Sequence, residues 1–208
     1  FLQEFILKYK AYIEEKDISK ALKKVNNCRI LCAVKASDQG VYMINEKVKE
    51  LLKKEFKGQG NTFNPSTEIF NNQLIMVTKN QPEMKLFNGD VGLIRMSGDK
   101  LKAFFPKQQT NEVDGDKDYF EVTPGFIESW ETVFAMTIHK SQGSEFDEVL
   151  VILPKKKENR LLTRELVYTG VTRAKNCAYI QSSEEVLYTA VRQQVNRVSG
   201  LKQRILNL

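Results

Sequence analysis

Residues 135–154 read AMTIHKSQGSEFDEVLVILP. Two apolar runs flank a polar insert, HKSQGSEFD (139–147), that contains the only histidine of the chain. Short continuous apolar runs are the mark of buried strands. Polar groups placed at the C-terminal end of a strand in an open α/β sheet sit where such sheets bind ligands. Thr137, His139, Lys140 and Ser141 are donors suited to phosphate, and Glu145 is an acceptor suited to a sugar hydroxyl or a bound water. Gly143 lets backbone approach a ligand closely. The plainer alternative is a polar loop with an incidental histidine, and the density of donors around His139 weighs against it.

The flanking sequence repeats the α/β texture. CRILCAV (28–34) is a buried-strand pattern. GVYMINEKVKELLKKEF (40–56) follows with Val41, Ile44, Val48, Leu51 and Leu52 on one helical stripe and lysines opposite. Strand, loop and helix make an α/β unit. Downstream, LLTRELVYTGVTRA (161–174) reads as helix, CAYIQS (177–182) as strand, and SEEVLYTAVRQQV (183–195) as a helix that starts on a serine with acids in its first turn. Between these parts the texture changes. QLIMVTKN, GDVGLIRM, KLKAFFP and DYFEVTP are short strands, and SGDK (97–100) reads as a hairpin turn. The expected organisation is a helical lead-in (1–27), a first α/β segment (28–71), a β-rich insert (72–129) resembling a small barrel, and a second α/β segment (130–208).

The bulk numbers bound the class. The chain has 208 residues with 41% hydrophobic and 28% charged, ordinary values for a globular protein with a real core. No apolar run approaches the roughly 20 residues that span a bilayer, and no signal-peptide pattern is present, so the expectation is a cytoplasmic protein with no membrane partner. The opening FLQEFILKYKAYIEEK is an amphipathic helix pattern without a leading Met, as expected of a piece of something longer. From Pro154 onward eleven Lys and Arg face four acids, an excess of seven positive charges, while the rest is close to neutral. A basic segment suits a polyanion such as nucleotide or nucleic acid. Cys28, Cys32 and Cys177 make no disulfide framework, and with one histidine elsewhere a zinc site is not expected. Asp114, Asp116 and Asp118 open a calcium-loop spacing, but Tyr119 stands where the turn glycine is needed and Gly125 where the bidentate glutamate is needed. That stretch reads as a solvated acidic turn, and no metal ligand set is assigned.

A second constellation is LLTRELVYTGVTRAKN (161–176). Arg173 sits at the end of an apolar helix, where a fixed guanidinium can reach a phosphate and stabilise the charge that develops in phosphoryl transfer. Taken together, TIHKSQGSEFDEVLVILP and LLTRELVYTGVTRAK resemble motifs V and VI of superfamily 1 helicases, and within them the exodeoxyribonuclease V alpha subunit family, the RecD-like helicases. FNGDVGLI (87–94) is similar to that family's entry into its inserted domain, RILCAVKASDQGVYMINEKV (29–48) to its motif IV region, and RVSGLKQRIL (197–206) to its C-terminus. Pif1-like helicases usually carry Met-Thr after the KSQG glycine and SRA in motif VI, whereas GSEF and VTRAK here favour the RecD-like branch. Relaxase helicases are near neighbours.

The resemblance implies an α/β RecA-like motor domain, 2A, a parallel sheet with helices on both faces, interrupted by a small SH3-like β-barrel, 2B. It implies ATP and Mg2+ bound mainly by a further motor domain, 1A. Arg173 matches the arginine finger that reaches the γ-phosphate, and Gln142, Gly143 and Glu145 match nucleotide-facing positions. Lys35, where the family commonly has arginine, is a further nucleotide contact lacking the planar fork. Thr137, His139 and Lys140 match positions facing single-stranded DNA. The implied activity is 5′→3′ DNA unwinding in recombination and repair, with RecB- and RecC-like subunits as possible partners. No GxxxxGK[ST] phosphate loop occurs in the chain, GQGNTF (58–63) is no substitute, and no acidic magnesium motif of the DE type is present. The chain alone is therefore expected to supply half of an ATP site and no DNA-stimulated ATPase. Two competing classes remain. One is a non-catalytic single-strand-binding module in which Phe104, Phe105, Tyr119 and Phe120 stack on bases or, more simply, fill a barrel core. The other is a docking domain within a RecBCD-type nuclease complex. DNA-backbone binding weakens steeply with salt and an apolar docking face does not.

Overall fold

The computed structural model describes residues 1–56, 63–64, 69–107, 117–155 and 161–194. Asp114 and Asp116, GQGNTF, RVSGLKQRIL, and Lys156, Lys157, Arg160, Arg197, Lys202 and Arg204 lie wholly or largely outside these residues.

The lead-in folds as α1 (Leu2–Ile6), a 3-10 turn (Leu7–Tyr9) and α2 (Lys10–Ile13), an almost continuous stretch, followed by α3 (Ile18–Lys24). Asp17 starts α3 by accepting a hydrogen bond from the Lys20 amide at 2.9 Å, an N-cap that satisfies one of the unpaired amides of the first turn. Next come β1 (Cys28–Cys32), α4 (Val41–Glu55), and the short β2 (Phe63–Asn64) and β3 (Ile69–Phe70). The chain then runs through β4 (Leu74–Val77), β5 (Val91–Ser97), β6 (Lys100–Pro106), β7 (Tyr119–Val122) and β8 (Trp130–Thr132). It finishes with β9 (Ala135–Thr137), β10 (Phe146–Ile152), α5 (Arg164–Val171), β11 (Ala174–Gln181) and α6 (Glu184–Arg192).

Four of these strands form one sheet in the order β11-β10-β1-β9, every pair parallel. Cys28 through Cys32 are all buried, as a continuous apolar run requires of a strand covered on both faces. Helices supply the cover. α1 lies on the face of Tyr179, whose ring meets Phe5 edge-on at 6.0 Å. α5 lies on the opposite face and so close that a Cβ at Gly170 would meet Ile138 and Val151 at 3.3 Å. α4 closes the β9 edge: Asn45 is buried, and its amide donates to the Ala135 carbonyl at 3.0 Å and accepts from the Ala135 amide at 2.8 Å. A side chain thus stands where a further strand would pair. Cys28 and Cys32 are free thiols, and burial pushes both up to about 12.

The β-rich insert is a five-stranded antiparallel sheet in the order β7-β6-β5-β4-β8. The SGDK hairpin is present: Ser97 pairs Lys100, and Gly98 takes the positive φ of 63° that a two-residue turn demands. The expected boundary at 129 is too early. β8 pairs β4, with Ile75 opposite Thr132, because the returning chain completes the insert's own sheet before entering β9. Period-2 alternation decides how the insert sits. Leu74, Met76, Leu93 and Phe104 point into the main core, whereas Ile75, Val77, Ile94 and Phe105 form a second core on the other face. Both faces are buried, so the insert is packed onto the α/β body. Arg95 fastens it further by donating to the carbonyls of Tyr12, Ile13 and Glu15 at the end of α2, at 3.3 Å for Ile13 and 2.9 Å for Glu15. Phe105 stacks on Phe120 with centroids 5.7 Å apart, and Phe104 meets Tyr119 edge-on at 5.7 Å, so these four rings pair with one another within the packed insert. Asp118 spends its carboxylate on Ser19 at 2.6 Å and Lys23 at 3.3 Å, an anchor to α3.

Candidate functional site

The segment between β9 and β10 carries the candidate residues, and the strand registers fix where its ends lie. Thr137 pairs with Cys32, at the C-terminal end of β1. Phe146 pairs with Ala174, two residues before Glu148 reaches Cys28 at the N-terminal end of β1. The segment 138–145 therefore crosses from one end of the sheet to the other. It does so in tight turns. The Thr137 hydroxyl accepts from the Lys140 amide at 3.2 Å, and the buried Ser141 donates its hydroxyl to the Ile138 carbonyl at 2.7 Å. The Ser144 amide donates to the Ser141 carbonyl at 3.0 Å. Gly143 has φ +86°, a left-handed conformation that favours glycine, with nothing within 4 Å of where a Cβ would stand. Ile138 and Ser141 are the buried anchors, and His139, Lys140, Gln142, Gly143, Ser144 and Glu145 are exposed between and beyond them.

At the N-terminal end of the sheet the loop meets Arg173. The Arg173 guanidinium donates to the Ser144 carbonyl at 3.2 Å, to the Thr169 carbonyl at 3.2 Å and to the Thr172 hydroxyl at 3.4 Å. The Phe146 amide donates to the Arg173 carbonyl at 2.9 Å. Arg173 lies beyond the helix expected to carry it: α5 ends at Val171, and Arg173 folds back over the last turn, where carbonyls without helical partners attract a cation. Gln142, Gly143 and Glu145 thus share a corner of the fold with Arg173. Lys35 does not. It follows the C-terminal end of β1, at the Thr137 end, because a parallel strand delivers its downstream loop to the far edge of the sheet. Close packing shapes that turn: a Cβ at Gly40 would collide with the Lys35 carbonyl. Thr137 is buried with its hydroxyl bonded within the chain, and Lys140 pairs with Glu131 at 2.7 Å. His139 is exposed at that end, as is Lys35.

A cleft of about 590 Å³ opens beside the loop. Its walls are Gln142, Ser144 and Glu145 on the loop side and the 88–90 turn of the insert, with Met136 and Arg29 at its base. Arg29 was not visible as a functional candidate. It is fully buried, donates to the Val133 carbonyl at 2.7 Å and the Val25 carbonyl at 3.3 Å, and burial lowers its pKa. The signal in the sequence was a lone charge inside the apolar run CRILC. Among the described residues no group of three or more His, Cys, Asp or Glu could hold a metal ion, and no helix is long and apolar enough to cross a membrane.

Residues 132–181, the span from β8 through β11, match the UvrD-like helicase C-terminal domain. The RecBCD enzyme subunit RecD of Mycobacterium tuberculosis H37Rv is 36% identical over 185 residues, 89% of this chain and 30% of that protein. The chain is RecD-like. The same subunit of Mycolicibacterium smegmatis is 38% identical across 91% of this chain and 31% of its own length, and that of Haemophilus influenzae 36% identical across 85% and 24%. The RecD-like chain thus spans about a quarter to a third of the length of these three relatives. A crystal structure of Pif1 helicase from Bacteroides with ADP-AlF3 and single-stranded DNA covers 99% of the RecD-like chain and is covered over 52% of its own, at 14% identity and a TM-score of 0.45, a likeness too slight to support inference about the site.

Proposed function

We propose that this RecD-like chain is the second motor domain, 2A with insert 2B, of an ATP-dependent 5′→3′ DNA helicase of the exodeoxyribonuclease V alpha type, acting in recombination and repair in the cytoplasm, with RecB- and RecC-like subunits as partners. The observation that carries the proposal is the Arg173 guanidinium lying on the Ser144 carbonyl. It joins the two motif segments at one end of the sheet while His139 stands at the other. One loop then has two clients: a nucleotide at the Gly143–Arg173 corner and a DNA strand at the His139 end.

The corner suits a nucleotide phosphate. Arg173 has no carboxylate partner among the described residues, and its longest contact, 3.4 Å to a hydroxyl, is weak and exchangeable. Gln142 and Glu145 are exposed beside it. ATP with its Mg2+ would supply the γ-phosphoryl group, held mainly by domain 1A. Arg173 would neutralise charge developing on it, and Glu145 would accept from a sugar hydroxyl or water. Lys35, from its place at the Thr137 end, suits the DNA backbone better than the nucleotide. The assignment of the insert as SH3-like rests on its strand order, a meander whose fifth strand returns beside its first, and on the 3-10 turn Pro124–Phe126 that precedes that return.

Two measurements test the reading. The chain by itself should show no DNA-stimulated ATP hydrolysis; phosphate release above a protein-free control, lost on Arg173→Ala, would overturn the division of labour. In the full-length protein His139→Ala should weaken DNA stimulation of the ATPase by roughly 10-fold, the loss of one or two backbone contacts at about 1.4 kcal/mol per tenfold, with nucleotide binding nearly intact. Stimulation equal to wild type would make His139 a structural residue.

A further inference from the structure

Arg29 occupies the centre of the sheet's most apolar stretch, fully buried and, among the described residues, with no carboxylate beside it. Taking a guanidinium out of water without an ion-pair partner is costly, so its neighbours matter. One guanidinium nitrogen donates to the Val133 carbonyl at 2.7 Å, on the chain leaving the insert. A second donates to the Val25 carbonyl at 3.3 Å, at the C-terminal cap of α3, where the helix presents unpaired carbonyls. The guanidinium carbon stands over the Phe146 ring, 5.1 Å from its centroid. Phe146 is in turn held at both neighbours of the nucleotide corner. Its amide donates to the Arg173 carbonyl at 2.9 Å, and the Ser144 carbonyl two residues earlier receives the Arg173 guanidinium at 3.2 Å.

We infer that Arg29 is a positioning residue for Arg173, acting through the Phe146 ring to hold the corner where Ser144 and the start of β11 meet. The inference rests on the proposed role of Arg173 and extends it. The same side chain also ties in the insert, through Val133, and α3, through Val25, so a displacement of the insert is passed to the corner by one rigid planar group. Lysine cannot reproduce this, since an ammonium offers no fork to bridge two carbonyls and no plane to lie on a ring.

The test uses two readouts. In the full-length protein at saturating single-stranded DNA, Arg29→Met should lower kcat for ATP by about 10-fold to 100-fold with KM little changed, the penalty expected when a catalytic group is misplaced by about an ångström. Arg29→Lys should recover a small part. Phe146→Leu should reproduce the loss, and the double variant should lose no more than the worse single one. In the present chain the Arg173 side-chain Nε–H resonance, followed by 1H–15N NMR, should shift in Arg29→Met and in Phe146→Leu. Should Arg29→Met fail to fold, Phe146→Leu answers the same question. A lowered melting temperature with wild-type kcat measured well below it, and an unmoved Arg173 resonance, would reduce Arg29 to a structural staple and overturn the inference. If Arg173→Ala itself leaves turnover intact, the finger assignment fails, while the NMR readout still decides whether Arg29 sets the Arg173 geometry.

Discussion

Arg173→Ala is expected to lower the ATP turnover of the full-length protein by about 10³-fold to 10⁵-fold, the range an arginine finger contributes, while its affinity for single-stranded DNA stays near wild type. In this chain the guanidinium makes three contacts, two to carbonyls and one long one to a hydroxyl, and none to a carboxylate among the described residues. A charge held this loosely can turn toward a phosphate arriving from a facing domain at little cost. Because the charge on the transferring group grows on the way to the transition state, the proposed contact should act on kcat more than on KM. DNA affinity should be spared because Arg173 sits at the N-terminal end of the sheet, the full length of β1 away from Thr137 and His139, the proposed DNA-facing residues. Steady-state ATPase with saturating DNA and a separate DNA titration decide the matter. A raised KM with unchanged kcat would mean ordinary ground-state binding of nucleotide. Lost DNA affinity with intact turnover would put Arg173 on the wrong client.

Phe134→Ala is the largest expected loss of stability. Phe134 is fully buried where the chain leaves the insert and enters β9. Its ring lies 5.7 Å from that of Tyr9 in the lead-in and stacks on Phe70, at 6.2 Å, on the approach to the insert. Three parts of the fold therefore share one side chain. Truncating a buried phenylalanine costs about 3–5 kcal/mol, the lost transfer energy plus the cavity left behind, and relaxation is poor where three rigid elements must move together. Against a total stability of about 5–15 kcal/mol, the melting temperature should fall by roughly 10 °C. Urea or thermal unfolding checks this, with Phe134→Leu as the milder comparison. A loss below about 1 kcal/mol, well under the usual range for such truncations, would show that the junction collapses around the gap and that insert and α/β body do not depend on a common core.

These two residues also show how differently site and fold could be read beforehand. The strand CRILC, the α4 stripe, the start of α6 on Ser183 and the turn at Gly98 were legible because each is local. Apolar period, N-cap chemistry and positive φ are properties of a few consecutive residues. The polar loop after β9 was legible for the same reason; of the four aromatics, Phe105 and Phe120 pack in the insert's own core, whereas Phe104 and Tyr119 pack on the main core. Lys35 was placed with the nucleotide residues and stands at the other end of the sheet. Nothing in its immediate neighbours shows which sheet edge its loop reaches, since that depends on strand order and on all four strands being parallel. Arg173 was expected on a helix and lies past its end, in the company of Ser144, 29 residues earlier in the chain.

By itself the sequence determined that the chain alternates buried strands with amphipathic helices, that a β-rich insert interrupts them, and that polar residues gather between β9 and β10. These follow from burial periodicity and backbone preference, which act over a few residues. Only the tertiary structure decided that the two ends of one eight-residue segment face opposite ends of a parallel sheet. It also decided that both faces of the insert are buried, and that Arg29, a charge in an apolar strand, joins insert, α3 and the Arg173 corner. The reason is that a guanidinium can be buried only where distant carbonyls and a ring converge to receive it, and that convergence exists only once the whole chain has packed.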